Sequence, residues 1–189
     1  MELNKTTKEY IRRASNKIRA IQFLGKKCKN CGISNIHVLD FHHISDDKAG
    51  TVATLKNGSW PKLRKELDVC ELLCANCHQE RHFDLNEGAL NNRASVNKKT
   101  FLEAIKKFEC ERCGYNKCYD SLDFHHINDN KKEFSLGHIN KRFSSVGRLT
   151  KVVLEEINKC VVLCRNCHTE YHLNENNKLL NMKTQAAGT

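Results

Sequence analysis

CELLCANCHQERH (Cys70 to His82) and CVVLCRNCHTEYH (Cys160 to His172) place their cysteines and histidines at the same steps. Upstream of each stretch lies the string LDFHHI, at Leu39 to Ile44 and at Leu122 to Ile127, preceded by a Cys-x2-Cys pair, Cys28 with Cys31 and Cys110 with Cys113. Three matched blocks in one order are an internal duplication, each copy spanning roughly 55 to 65 residues, close to the lower end of what folds alone. A unit that small buries too little apolar surface to hold itself together and usually needs a metal, disulfides or a partner. Between His43 and Cys74 lie 30 residues, but between His126 and Cys164 lie 37, so the second copy carries an insertion, expected in a surface loop near KRFSSVGRLT (Lys141 to Thr150).

The 189 residues include eleven cysteines, an odd number. The opening MELNKTTKEY is charged and lacks the apolar core of a secretory leader. With 39% hydrophobic residues and a mean hydropathy of -0.63, the chain has no run of about eighteen apolar residues to span a bilayer. The expectation is a cytoplasmic chain without membrane partners, whose thiols stay reduced, so metal ligation is the first reading of the cysteines. Cys28, Cys31, Cys74 and Cys77 form one CxxC…CxxC set, and Cys110, Cys113, Cys164 and Cys167 form the other. Two-residue gaps aim neighbouring thiolates at one ion, and four thiolates complete the closed tetrahedron of structural zinc. A redox CxxC needs no second pair at matched distance, which disfavours it. Cys70 and Cys160 correspond to each other inside apolar runs and read as buried, inert thiols, while Cys118 has no counterpart and no assigned role.

Eight of the ten histidines follow the duplication: His42, His43, His78 and His82, then His125, His126, His168 and His172. Each CHxxxH is expected to open a helix, on which His78 and His82, or His168 and His172, share one face. Two imidazoles from a helix and one from a strand make a three-histidine set with open positions, the layout of a catalytic rather than a structural metal. The second histidine of each adjacent pair faces the other way along a strand and is available as a proton acceptor. The bland alternative is that these histidines cap, pack or add to the zinc sites. His37 and His138 lie outside the pattern and read as surface or loop residues.

The formal charge of +10 is unevenly shared: the first 27 residues carry eight basic and two acidic side chains. Two zinc ions, each bound by four thiolates, would lower the total to about +6, so the basic character survives. The arm reads as a helix with Ile11, Ala14, Ile18 and Ile21 as its packed stripe, Thr6 and Glu9 as a capping box and Gly25 as the stop. Arg12, Arg13, Lys17 and Arg19 fall on its other faces, either solvated or following a phosphate backbone. The organisation is then a basic arm (1–27), a first zinc domain (28–82), a helical linker (83–109), a second zinc domain (110–172) and a polar tail (173–189). In the linker, Phe101, Leu102, Ile105 and Phe108 suggest a packed helix with Lys98, Lys99, Lys106 and Lys107 outside.

From its first CxxC to its last histidine, each copy resembles the HNH endonucleases, the ββα-metal nucleases, in the subgroup braced by a four-cysteine zinc. The resemblance implies an α+β class, with two tandem zinc-braced, treble-clef-like ββα-metal domains behind a basic N-terminal helix. It makes His42 and His125 metal ligands, His43 and His126 the general bases, His78 and His168 further ligands, and His82 and His172 the extra ligand of the all-histidine version. The departure is the family's middle asparagine, which braces the loop between the strands. The corresponding stretches read DVC (Asp68 to Cys70) and NKC (Asn158 to Cys160), and Asn76 and Asn166 lie inside the CxxC knuckle.

The same resemblance implies hydrolysis of DNA phosphodiester bonds with two structural Zn2+ and one catalytic divalent metal per site. Imidazole ligands favour Zn2+, Ni2+ or Mn2+, while Mg2+ prefers oxygen. Asp40 and Asp123 are candidates to add an oxygen ligand, to orient a histidine or to form a surface ion pair. The expected partner is double-stranded DNA, cut by a monomer acting as a pseudo-dimer or by a homodimer, in a homing, restriction or phage-related role. The alternative is a non-catalytic zinc module that binds nucleic acid.

Overall fold

The computed structural model describes residues 4–45, 52, 56–85, 93–128, 131–136 and 151–186. The fold is mixed α+β, and contacts divide the chain into two compact units, residues 1–78 and 79–189. The first unit opens with α1 (Lys5–Phe23), followed by β1 (Leu39–His43), α2 (Trp60–Leu67), β2 (Cys70–Cys74) and the start of α3 (Ala75–Leu85). The second unit takes the rest of α3, then α4 (Arg93–Ile105), β3 (Leu122–His126), α5 (Lys151–Ile157), β4 (Cys160–Cys164) and α6 (Arg165–Ala186). The insertion at Lys141 to Thr150 and His138 fall outside the described residues.

Each unit has one two-stranded antiparallel sheet, β1 on β2 and β3 on β4. Their registers match residue for residue: Leu39 faces Cys74 and His43 faces Cys70, while Leu122 faces Cys164 and His126 faces Cys160. LDFHH is thus the strand itself in both copies, and Ile44 and Ile127 follow it. A two-stranded sheet alone is marginal in water. Here one face is covered by core and the end is tied to a cysteine knuckle, with Lys29 N–H donating to the Leu72 carbonyl at 2.8 Å and Glu111 N–H to Val162 at 2.9 Å.

The knuckles close in the same way in both copies. Gly32 N–H donates to the Cys28 carbonyl at 2.9 Å and Gly114 N–H to Cys110 at 2.8 Å. The glycine after each second cysteine sits at φ +76° and φ +72°, a left-handed conformation that side chains disfavour. The cores are small: Ile21, Val38, Leu39, Leu72 and Leu73 pack around Cys28, Cys74 and Cys77, and Leu102, Leu122, Val162 and Leu163 around the second cysteine set.

Helix α1 forms as expected, but on different details. Its N-cap is Asn4, whose Oδ1 accepts from Thr7 N–H at 2.9 Å, so Thr6 and Glu9 are not the cap. Gly25 ends it at φ +91°, with Lys26 N–H returning to the Ile21 carbonyl at 2.9 Å in a Schellman closure. The isoleucine stripe is only partly packed: Ile11 and Ile18 are 49% and 46% exposed, whereas Asn16, Ala20 and Ile21 are buried. Asn16 selects that face, because its amide donates to the carbonyls of Lys56 and Gly58 at 2.9 and 3.2 Å. In α4, Phe101 and Leu102 are buried as read, but Phe108 is exposed beyond the helix end at Lys106.

Among the described residues no helix is long and apolar enough to cross a membrane. Replacing Gly32 or Gly114 by alanine meets no atom within 4 Å, so the cost is backbone strain alone, roughly 1–2 kcal/mol each. Urea denaturation should show the midpoint falling accordingly, and an unchanged midpoint would mean that the knuckle tolerates another conformation.

Candidate metal centres

The four cysteines of each set come from two places that the fold brings to one point. Cys28 and Cys31 lie on the knuckle, while Cys74 ends β2 and Cys77 sits in the first turn of α3. Cys110, Cys113, Cys164 and Cys167 repeat this with β4 and α6. In each set the four Sγ atoms lie within 4.8 Å of one another. Cys31 and Cys74 are 3.7 Å apart and Cys113 and Cys164 3.8 Å, all as free thiols. A tetrahedral ion with sulfur ligands at about 2.3 Å requires sulfurs about 3.8 Å apart. The donor set therefore fits, and the two clusters can hold a structural metal such as zinc.

The knuckle backbone favours thiolate at one cysteine of each set, while burial and the neighbouring cysteines push Cys31 up to about 11 and raise Cys77 and Cys167 as well. Burial opposes ionisation of Cys28, but backbone N–H groups of Cys31, Cys74 and Asn30 aimed at it bring the thiol down to about 7. Cys110 is likewise lowered to about 7 against its burial, by the backbone of Cys164, Arg112 and Cys113. Cys70 and Cys160 lie outside both clusters: burial pushes each up to about 11, and their Sγ atoms lie 3.3 and 3.5 Å from the carbonyls of Glu66 and Glu156. They are the buried thiols expected.

The adjacent histidines split across each strand. His42 and His125 are 6% and 7% exposed and turn toward the helix that follows the second cysteine pair. The His42 ring lies 5.2 Å from that of His78, and the ligating atoms of His42, His78 and His82 fall within 4.8 Å of one another. The His125 ring lies 5.1 and 5.0 Å from those of His168 and His172, which form the matching cluster. His168 and His172 approach through their Nε2 atoms at 3.1 Å. Two imidazoles sharing a tetrahedral ion at 2.0–2.1 Å need nitrogens about 3.3 Å apart, so this set also suits one ion. The outer histidines, His82 and His172, are exposed, leaving the cluster open on that side.

Asp40 and Asp123 each lie beside the first histidine of the helix that follows the second cysteine pair. Asp123 Oδ2 lies 3.4 Å from His168 Nδ1, and the corresponding Asp40–His78 separation is 3.9 Å. Burial works against the Asp123 charge, but His168 and Lys98 hold its carboxyl below the usual range. Lys98 does not face outward: its Nζ reaches Asp123 at 3.1 Å and the Asp120 carbonyl at 2.9 Å.

His43 and His126 point to the opposite face of their strands, and each meets a glutamate that the sequence reading did not single out. His43 Nε2 lies 2.7 Å from Glu66 Oε1, and His126 Nε2 lies 2.8 Å from Glu156 Oε1. Glu66 and Glu156 are 4% and 1% exposed. The signal was present, since both stand four residues before the cysteine that begins the second strand, at Cys70 and Cys160. In α1, Arg12, Arg13 and Arg19 are exposed and Lys17 is half-buried. Arg19 stacks on Trp60, 4.0 Å from its ring centre. His37 is exposed.

Comparison of the chain with protein families, curated proteins and solved structures gives no match.

Zinc released from denatured wild-type protein into a chromogenic chelator should amount to about two ions per chain. Cys74→Ser should remove about one of them, while His168→Ala should leave both. A wild-type chain without zinc would overturn the four-thiolate assignment.

Proposed function

We propose that the chain is a metal-dependent endonuclease of the HNH type that hydrolyses phosphodiester bonds in duplex DNA, with one active site in each copy. The observation that carries this reading is the split of each adjacent histidine pair. One member joins two helical histidines in a set able to share an ion, and its neighbour faces a buried carboxylate, with the whole arrangement present twice.

On this reading His42, His78 and His82, and in the second copy His125, His168 and His172, hold the divalent ion. Bound there, such an ion would supply positive charge to the scissile phosphate and the departing 3′ oxygen. His43 or His126 accepts a proton from water as the water oxygen bonds to phosphorus in line with the P–O3′ bond, which breaks. Nε2 faces the glutamate, so Nδ1 is the accepting nitrogen. Asp40 and Asp123 hold the ligand rings of His78 and His168 in orientation from the Nδ1 side. Arg12, Arg13, Lys17 and Arg19 follow the DNA backbone, their charge lending salt-dependent affinity without base recognition.

Two sites in one chain suit a covalent pseudo-dimer, one site per strand of the duplex. Supercoiled plasmid incubated with Mg2+, Mn2+, Ni2+ or Zn2+ should be linearised. His43→Ala and His126→Ala should each yield mainly nicked circles, and the double variant should be slower by about 100-fold or more. A wild-type protein that binds zinc and DNA yet cuts under no metal would favour the non-catalytic module.

A further inference from the structure

The glutamates behind His43 and His126 carry more than packing would require. Removing a carboxylate from water costs several kcal/mol unless it is well paired, and an apolar residue of similar size often serves the fold as well. Both copies nevertheless keep one at the same place, on α2 or α5, facing the core side of the strand. Each stands against the same ring nitrogen, Nε2, at nearly the same distance, 2.7 and 2.8 Å.

An ionised carboxylate has no proton to donate, so its neighbour Nε2 must carry one. In a neutral imidazole the lone pair then resides on Nδ1, and which nitrogen can take a proton is settled by what the other one bonds. Glu156 also does a second job. The same Oε1 accepts from the backbone N–H groups of Glu133 and Phe134 at 3.0 and 3.4 Å, while its Oε2 accepts from Lys159 at 2.7 Å. Residues 133 and 134 belong to the segment between β3 and β4 that a bracing asparagine would be expected to hold.

We propose that Glu66 and Glu156 are positioning residues, each holding its histidine in the Nε2–H tautomer with the Nδ1 lone pair presented to water, Glu156 in addition bracing the loop between its strands. The catalytic half of this inference rests on the nuclease reading. In the step itself the water proton goes to Nδ1, the water oxygen bonds to phosphorus, the P–O3′ bond breaks with its electron pair going to the 3′ oxygen, which takes up a proton from solvent, and the carboxylate stays ionised. It stabilises the imidazolium and takes no proton, as the acid of a Ser-His-Asp triad does.

The test uses the full-length, zinc-loaded protein. Long-range 1H–15N correlation spectra, with the rings assigned by His43→Ala and His126→Ala, should show protonated Nε2 and unprotonated Nδ1 in both histidines. The Glu66→Gln/Glu156→Gln variant keeps the shape and an accepting oxygen but lacks the charge. Its plasmid-cleavage kcat should fall on the order of 100-fold or more, with KM and zinc content within about twofold of wild type. A purely structural glutamate would leave kcat intact in this variant, and that outcome overturns the proposal, as does an Nδ1–H tautomer in the wild type. Should the double glutamine variant fail to retain zinc, Glu66→Gln and Glu156→Gln separately should each convert linear product to nicked circles. A wild-type chain that cuts nothing sinks the nuclease reading alone. The tautomer then decides positioning by itself: Nε2–H supports it and Nδ1–H refutes it.

Discussion

Four cysteine side chains meeting at one point are the constraint on which the rest of each copy depends. A two-stranded sheet with a handful of buried leucines does not offset the conformational entropy of some sixty residues. A metal bound at the cysteine cluster would act on that imbalance directly, because its binding free energy becomes folding free energy. It would join the N-terminal knuckle to the end of the second strand and the first turn of the following helix, adding to the backbone hydrogen bonds from Lys29 and Glu111 that already tie knuckle to sheet. The left-handed glycine, the knuckle hydrogen bonds and the common strand register all follow from closing that loop at one point.

The same tether fixes the histidines. Cys77 and His78 are neighbours in the first turn of α3, and Cys167 and His168 in that of α6, so anchoring the thiolate also anchors the imidazole beside it. One helical turn further, His82 and His172 fall on the same side. Across the sheet, Leu39 and Leu122 stand opposite the anchored Cys74 and Cys164, which sets where His42 and His125 arrive three residues later. Strand alternation then sends His43 and His126 to the other face. The ligand-like and base-like members of each pair thus occupy separate environments because of the pleat.

Where the sequence was legible, the chemistry was local and repeated. CxxC spacing, the four-residue step between helical histidines and strand alternation are properties of a few consecutive residues, and duplication marked which of them mattered. Asn4, Asn16 and Lys98 were not legible in that way. Asn16 selects the packed face of α1 through carbonyls forty residues away, so periodicity alone favoured an isoleucine stripe that is half exposed. Lys98 looked like a solvated helix residue until Asp123, distant in sequence, came within reach. Glu66 and Glu156 were hidden differently: they were repeated, but a glutamate in an amphipathic helix reads as surface unless its partner is known. The comparison of copies that identified the cysteines applies to them equally, since each lies four residues before the cysteine that pairs with the second histidine.

A common frame does not make the two sites electrostatically equal. Where the second copy has Lys159, bonded to both Glu133 and Glu156, the first has Val69. Burial opposes the charge on Glu156, but Lys159, His126 and the backbone of Glu133 and Phe134 bring it down to about 2. In the second copy the carboxylate that meets the imidazole is thus also shared with an ammonium group and two backbone amides. Opposite His125 in the strand pair stands Val161, and Tyr171 packs 4.2 Å from its ring. Opposite His42 stands Glu71, and the residue matching Tyr171 is Arg81. Val161 and Tyr171 thus stand where the first copy has Glu71, which also pairs with Lys29 at 3.1 Å, and Arg81. A metal ion is a net charge, and its affinity depends on the charges around it as well as on its ligands. An ion held by the same three imidazoles would therefore meet a different field in each copy, since duplication has kept the geometry while the side chains around it have diverged.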